Sequence, residues 1–115
     1  MKLVPIRQRR FDRAAFFADL EVVDRSTGRR LAGRSLDLCR GGMGLFASGF
    51  VAEGAPVQIF LRVDGGGRAV TVRLNAVVVQ SRAEEQGAIL GVAFDSPLTP
   101  AAHPVLCGRL DRQEG

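Results

Sequence analysis

Apolar and polar residues alternate with a period of two along most of this chain. From Phe16 to Asp24, residues Phe16, Ala18, Leu20 and Val22 fall on one side. Asp19 and Glu21, with the flanking Phe17 and Val23, fall on the other, which is the pattern of a half-buried strand. Ser26-Thr27-Gly28 supplies turn chemistry, and Arg30 to Leu38 reads as a second strand of weaker pattern, interrupted by Gly33, so a hairpin is expected. Gly41-Gly42-Met43-Gly44 predicts a sharp bend before Leu45-Phe46-Ala47, because three glycines in four residues permit positive φ and close backbone approach. Val57, Ile59, Leu61 and Val63 alternate strongly; Asp64 to Gly67 forms a hairpin loop; and the partner strand runs from Arg68 to about Gln80 with Val70, Val72, Leu74, Ala76 and Val78 inward. A turn at residues 83–87 leads into a last strand, Ala88 to Phe94, with Leu90, Val92 and Phe94 inward. Pro104 bars a smooth helix from Thr99, so a short helix is placed from about Pro104 to Asp111, burying Val105, Leu106 and Leu110. About six strands joined by short polar turns predict an all-β fold, a six-stranded antiparallel barrel with a short C-terminal helix.

Charge adds an asymmetry to this picture. The net charge is +4, and residues 1–13 account for all of it: Lys2, Arg7, Arg9, Arg10 and Arg13 stand against Asp12 alone. The remaining residues carry equal numbers of basic and acidic groups. A basic run of this kind is either a solvated tail or an anion-binding segment. An apolar fraction of 46% is enough for an ordinary core and excludes global disorder. Seven phenylalanines are the only aromatics, which disfavours a base-stacking nucleic-acid platform.

Little in the sequence supports catalysis or metal binding. The single histidine, His103, is flanked by Ala102 and Pro104, and nothing near it in the sequence suggests a Ser-His-Asp or Cys-His arrangement, so the chain is read as non-enzymatic with no catalytic residues. His103, Cys39 and Cys107 are the only His and Cys side chains, too few for a zinc site built mainly from such ligands. No phosphate-loop or dinucleotide-binding glycine fingerprint occurs, and no cofactor is expected. No stretch approaches the roughly 18 apolar residues of a membrane span. Two distant thiols without an export signal point to a reducing cytoplasm.

Two segments stand out together: Gln8-Arg9-Arg10-Phe11-Asp12-Arg13, directly before the first strand, and Asp37-Leu38-Cys39-Arg40-Gly41-Gly42, ending the second. With them the sequence resembles the PilZ family of bacterial cyclic-di-GMP receptors. That family carries Arg-x-x-x-Arg before its first strand and Asp/Asn-x-Ser-x-x-Gly after its second. Arg9 and Arg13 match the former; Asp37, Cys39 and Gly42 match the latter, with cysteine in place of serine. Leu90-Gly91-Val92-Ala93-Phe94 looks like the family's closing strand, so the resemblance covers nearly the whole chain.

The resemblance implies a PilZ-like split barrel within a single domain. Residues 1–15 would form a flexible arginine-rich ligand-binding segment, residues 16–97 the barrel, and residues 98–115 a short helical or irregular tail. It implies a receptor or adaptor whose N-terminal segment is ordered by cyclic di-GMP and which signals to an as yet unidentified effector protein. Arg9, Arg13, Asp37, Cys39 and Gly42 are the implied ligand-binding residues, with Arg10 as a further candidate. The chemistry is compatible, since guanidinium groups pair with phosphate and with guanine O6/N7, and a carboxylate accepts from guanine N1–H and N2–H. Phe11 reads as a hydrophobic anchor. Two alternatives are a PilZ-like protein-interaction module that does not bind the nucleotide, and, less favoured, a nucleic-acid-binding barrel.

Overall fold

The computed structural model describes residues 14–114. Seven strands and one helix follow in order: β1 (Ala14–Ala15), β2 (Asp19–Asp24), β3 (Arg30–Cys39), β4 (Gly42–Ala47), β5 (Pro56–Asp64), β6 (Ala69–Glu84), β7 (Gly87–Phe94) and α1 (Pro104–Glu114). The sheet order is β1-β3-β2-β5-β6-β7-β4, and a further pairing of β3 with β4 closes six strands into an antiparallel barrel. The expected all-β barrel with a short C-terminal helix is the observed fold. Its interior holds the inward sets predicted from alternation, including Leu20 and Val22, Val57, Ile59 and Leu61, Ala76 and Val78, and Leu90 and Val92. Burial of these side chains, at roughly 25 cal/mol per Å² of apolar surface, is the main stabilising contribution.

Three local features depart from simple alternation. The first strand is interrupted. β1 pairs with β3 at Ala14↔Leu38 and Ala15↔Asp37, β2 resumes at Asp19↔Arg34, and residues 16–18 detour between them. Ser35 explains the gap. Its fully buried hydroxyl donates to the Phe16 carbonyl at 2.6 Å and accepts the Ala18 N–H at 2.9 Å, replacing the ladder bonds that the detour breaks. Phe16 remains buried, as alternation predicts, whereas Phe17 is exposed. Ser35→Ala removes both bonds and should lower unfolding free energy by about 1–3 kcal/mol, measurable as a shift of the urea midpoint at unchanged slope.

The second departure is the glycine bend. Only Arg40 and Gly41 form the turn, and β4 already begins at Gly42, three residues earlier than the apolar pattern predicts. None of Gly41, Gly42 and Gly44 takes positive φ, so the expected conformational use is absent there. The close approach is real: a Cβ on Gly42 would lie 2.2 Å from the Val92 carbonyl oxygen. The third departure is a pair of register shifts, one in β3 between Ser35 and Asp37 and one in β6 between Val78 and Gln80.

The helix joins the core through Leu106, Cys107 and Leu110, which are buried. Arg40 in the β3–β4 turn ties it down, donating to Cys107 Sγ at 3.1 Å and pairing with Asp111 at 2.8 Å. The Arg109 guanidinium lies 5.2 Å from the centre of the Phe16 ring. The β3–β4 turn and the chain just after β1 are therefore fastened to the same helix.

Candidate functional site

The two register shifts decide which way the polar side chains of β3 and β6 point. Ser35 pairs inward with Leu45. Continued alternation would send Asp37 inward and Leu38 outward. The shift at Leu36 reverses this: Leu38 is fully buried opposite Met43, and Asp37 lies on the outer face opposite Gly44. On β6 the same device acts at Val79. Val78 is buried opposite Val92, and strict alternation would turn Gln80 inward as well. Instead Val79 is extruded, 57% exposed, and Gln80 is set outward opposite Gly91.

These shifts bring four residues into one cross-strand row, Asp37, Gly44, Gly91 and Gln80, running across β3, β4, β7 and β6. The two middle positions have no side chain, so the row is a trough with a backbone floor. It forms a cleft of about 200 Å³ whose lining also includes Leu36, Ile89 and Arg82. Asp37 leans over the floor, and its Oδ1 accepts the Gly44 N–H at 2.8 Å. On the far side Arg82 pairs with Glu84 at 2.8 Å. The cleft thus offers a carboxylate, an amide and a guanidinium around a flat backbone floor.

The candidate residues separate as follows. Asp37 lines the cleft. Cys39 is half-buried and pairs with Gly42 at the mouth of the β3–β4 turn, two positions along the strand from Asp37. Gly42 is buried, and its missing side chain is demanded by the approach to Val92. Arg9, Arg10, Arg13 and Phe11 lie outside the described residues. Ala14, to which Arg13 is joined by one peptide bond, pairs with Leu38 beside Asp37. Gly44, Gly91, Gln80 and Arg82 are cleft residues that strand periodicity did not single out.

His103 takes a local role. Its Nδ1 accepts the Thr99 N–H at 3.3 Å, and the Thr99 hydroxyl accepts from Ala102, so the pair organises the turn before α1. Cys39 and Cys107 are both free thiols. Among the described residues no group of three or more His, Cys, Asp or Glu side chains is placed to hold a metal, and no helix is long and apolar enough to cross a membrane.

The model of the PilZ domain family matches residues 7–106, which take in both motifs and all seven strands. The chain belongs to the PilZ domain family. Two solved structures share the fold of this PilZ domain. The inhibitor of motility MotI/DgrA of Bacillus subtilis superposes with a TM-score of 0.69 at 12% identity, over 89% of this chain and 49% of that one. This PilZ domain therefore spans about half the length of the MotI chain. The PilZ domain of YcgR from Escherichia coli, solved with c-di-GMP, superposes with a TM-score of 0.58 at 16% identity, over 84% of this chain and 82% of that one. No curated protein matches the sequence.

Proposed function

We propose that this PilZ domain is a non-catalytic cyclic-di-GMP receptor or adaptor that works in the cytoplasm. Arg9, Arg13, Asp37, Cys39 and Gly42, together with Arg10, form its ligand site. The observation that carries this reading is the position of Asp37. A register shift turns it out over a glycine-floored cleft, on the strand segment that pairs with Ala14–Ala15, where the chain arrives from the arginines. Asp37 accepts from the guanine N1–H and N2–H or orients an arginine, and the guanidinium groups take the phosphates and the guanine O6/N7 edge. Gly42 serves the site by keeping β4 close against β7, so that Gly44 and Gly91 sit side by side. Ligand binding orders the arginine-rich segment that precedes β1, because two phosphates neutralise a segment whose charges otherwise repel one another. The changed surface is then read by an effector protein. The family assignment and the c-di-GMP in the related YcgR structure support this ligand.

Calorimetric titration of the protein with cyclic di-GMP tests the reading. Micromolar or tighter binding is expected, and no heat of binding at millimolar ligand would sink it. Cys39 in place of serine favours one second reading, a protein-interaction module without the nucleotide, because a thiol donates and accepts only weakly. Under the receptor reading, Cys39→Ser should preserve affinity or tighten it by about fivefold, the value of one hydrogen bond of about 1 kcal/mol. A clear loss of affinity in that variant would mean that the thiol itself is required.

A further inference from the structure

The cleft has two walls, and the motifs account for only one of them. Asp37 stands on β3; opposite it, three strand spacings away or about 14 Å at the backbone, stands Gln80 on β6. The side chain of Gln80 bends over the floor as Asp37 does from its own side. Its Cβ lies 3.6 Å and its amide oxygen 3.8 Å from where a Cβ on Gly91 would be. Gln80 is exposed and has no side-chain hydrogen bond among the described residues, whereas its neighbour Arg82 already pairs with Glu84. An uncommitted carboxamide over a backbone floor, facing a carboxylate across it, is suited to a flat heterocycle that donates along one edge and accepts along another.

We propose that Gln80 is the second base-contacting residue of this site, its amide N–H donating to an acceptor on the guanine whose donor edge Asp37 holds. The proposal rests on the cyclic-di-GMP reading of the cleft. With the N1–H and N2–H edge turned to Asp37, guanine presents O6 and N7, both acceptors, elsewhere on its rim. Of the side chains at the far wall, Gln80 offers a neutral donor that no other described group occupies. The bulge at Val79 makes the contact possible: in a regular ladder Gln80 would stand opposite Leu90 and point into the barrel core.

Two variants at this one exposed position test the assignment, with thermal midpoints recorded to establish that both fold. Gln80→Ala removes the donor and should weaken cyclic di-GMP binding by about fivefold in calorimetric titration. Gln80→Glu keeps the shape but has no donor when ionised and sets a negative charge beside an anionic ligand, so its loss should be larger, about tenfold or more. Affinities within twofold of wild type for both variants would overturn the proposal. Weakening by alanine with full affinity retained by glutamate would overturn the donor assignment. Wild-type protein titrated in parallel separates the two levels: binding by wild type with no change in the variants refutes the Gln80 contact alone, whereas no binding by wild type refutes the cyclic-di-GMP reading beneath it.

Discussion

Replacing Arg9 and Arg13 together by alanine should weaken cyclic di-GMP binding by about a hundredfold or more. Each guanidinium can make charge-assisted, paired hydrogen bonds to phosphate or to guanine O6/N7, and a hydrogen bond to a charged group contributes about 1.5–3 kcal/mol. Loss of two such contacts therefore corresponds to two to four powers of ten in affinity. Among the described residues the core that holds the barrel together begins at Phe16, after both arginines in the chain. The thermal midpoint of the double variant should stay within a few degrees of wild type. Calorimetric titration beside a melting curve reads both quantities. Retained affinity in a folded double variant would move the ligand grip away from the arginine segment and back towards the cleft alone. Raised salt should weaken wild-type binding more steeply than binding by the double variant, because the arginines carry the screened part of the interaction.

Gly42→Ala should destabilise the fold by about 3 kcal/mol, although it adds a single methyl group. That methyl would sit 2.2 Å from the Val92 carbonyl oxygen, a backbone atom held in the β4–β7 ladder, so strand must move from strand. Gly41→Ala is the internal control. Nothing lies within 4 Å of a Cβ there and its φ is not positive, so its midpoint should be close to that of wild type. Denaturant unfolding of the two variants checks the contrast. Equal stabilities would show that β4 can shift outward at little cost. The contrast also bears on how the site is tested: lost nucleotide binding in a Gly42 variant would report the strained β4–β7 seam before any contact of Gly42 with ligand. Asp37 and Gln80 are cleaner probes, because their side chains lie on the outer face.

Period-two alternation is why so much of the barrel was legible in the sequence. Leu20 and Val22, Val57 to Val63, and Leu90 and Val92 must each bury one face, and the turn residues between them leave few ways to do so. The weak pattern of β3, read as an interruption at Gly33, has its physical origin three residues further on. The Leu36 bulge changes the face on which the apolar residues fall, and Leu38 is buried out of phase with Ser35. The split of the first strand was equally hidden, because it depends on a serine hydroxyl 19 residues away in the chain.

The candidate site divides along the same line. The sequence by itself determined the strand pattern, the concentration of positive charge before β1, and the motif residues Asp37, Cys39 and Gly42. Only the tertiary structure decided that Asp37 faces outward, that Gly44 and Gly91 lie side by side as a floor, and that Gln80 completes the far wall. Alternation is a local property of one strand and can be read from it. A bulge is a property of two paired strands, in which one extra residue is accommodated because the partner's register and the packing of the core fix the residues on either side. Its effect, turning every later side chain to the opposite face, is therefore visible only once the strands are paired.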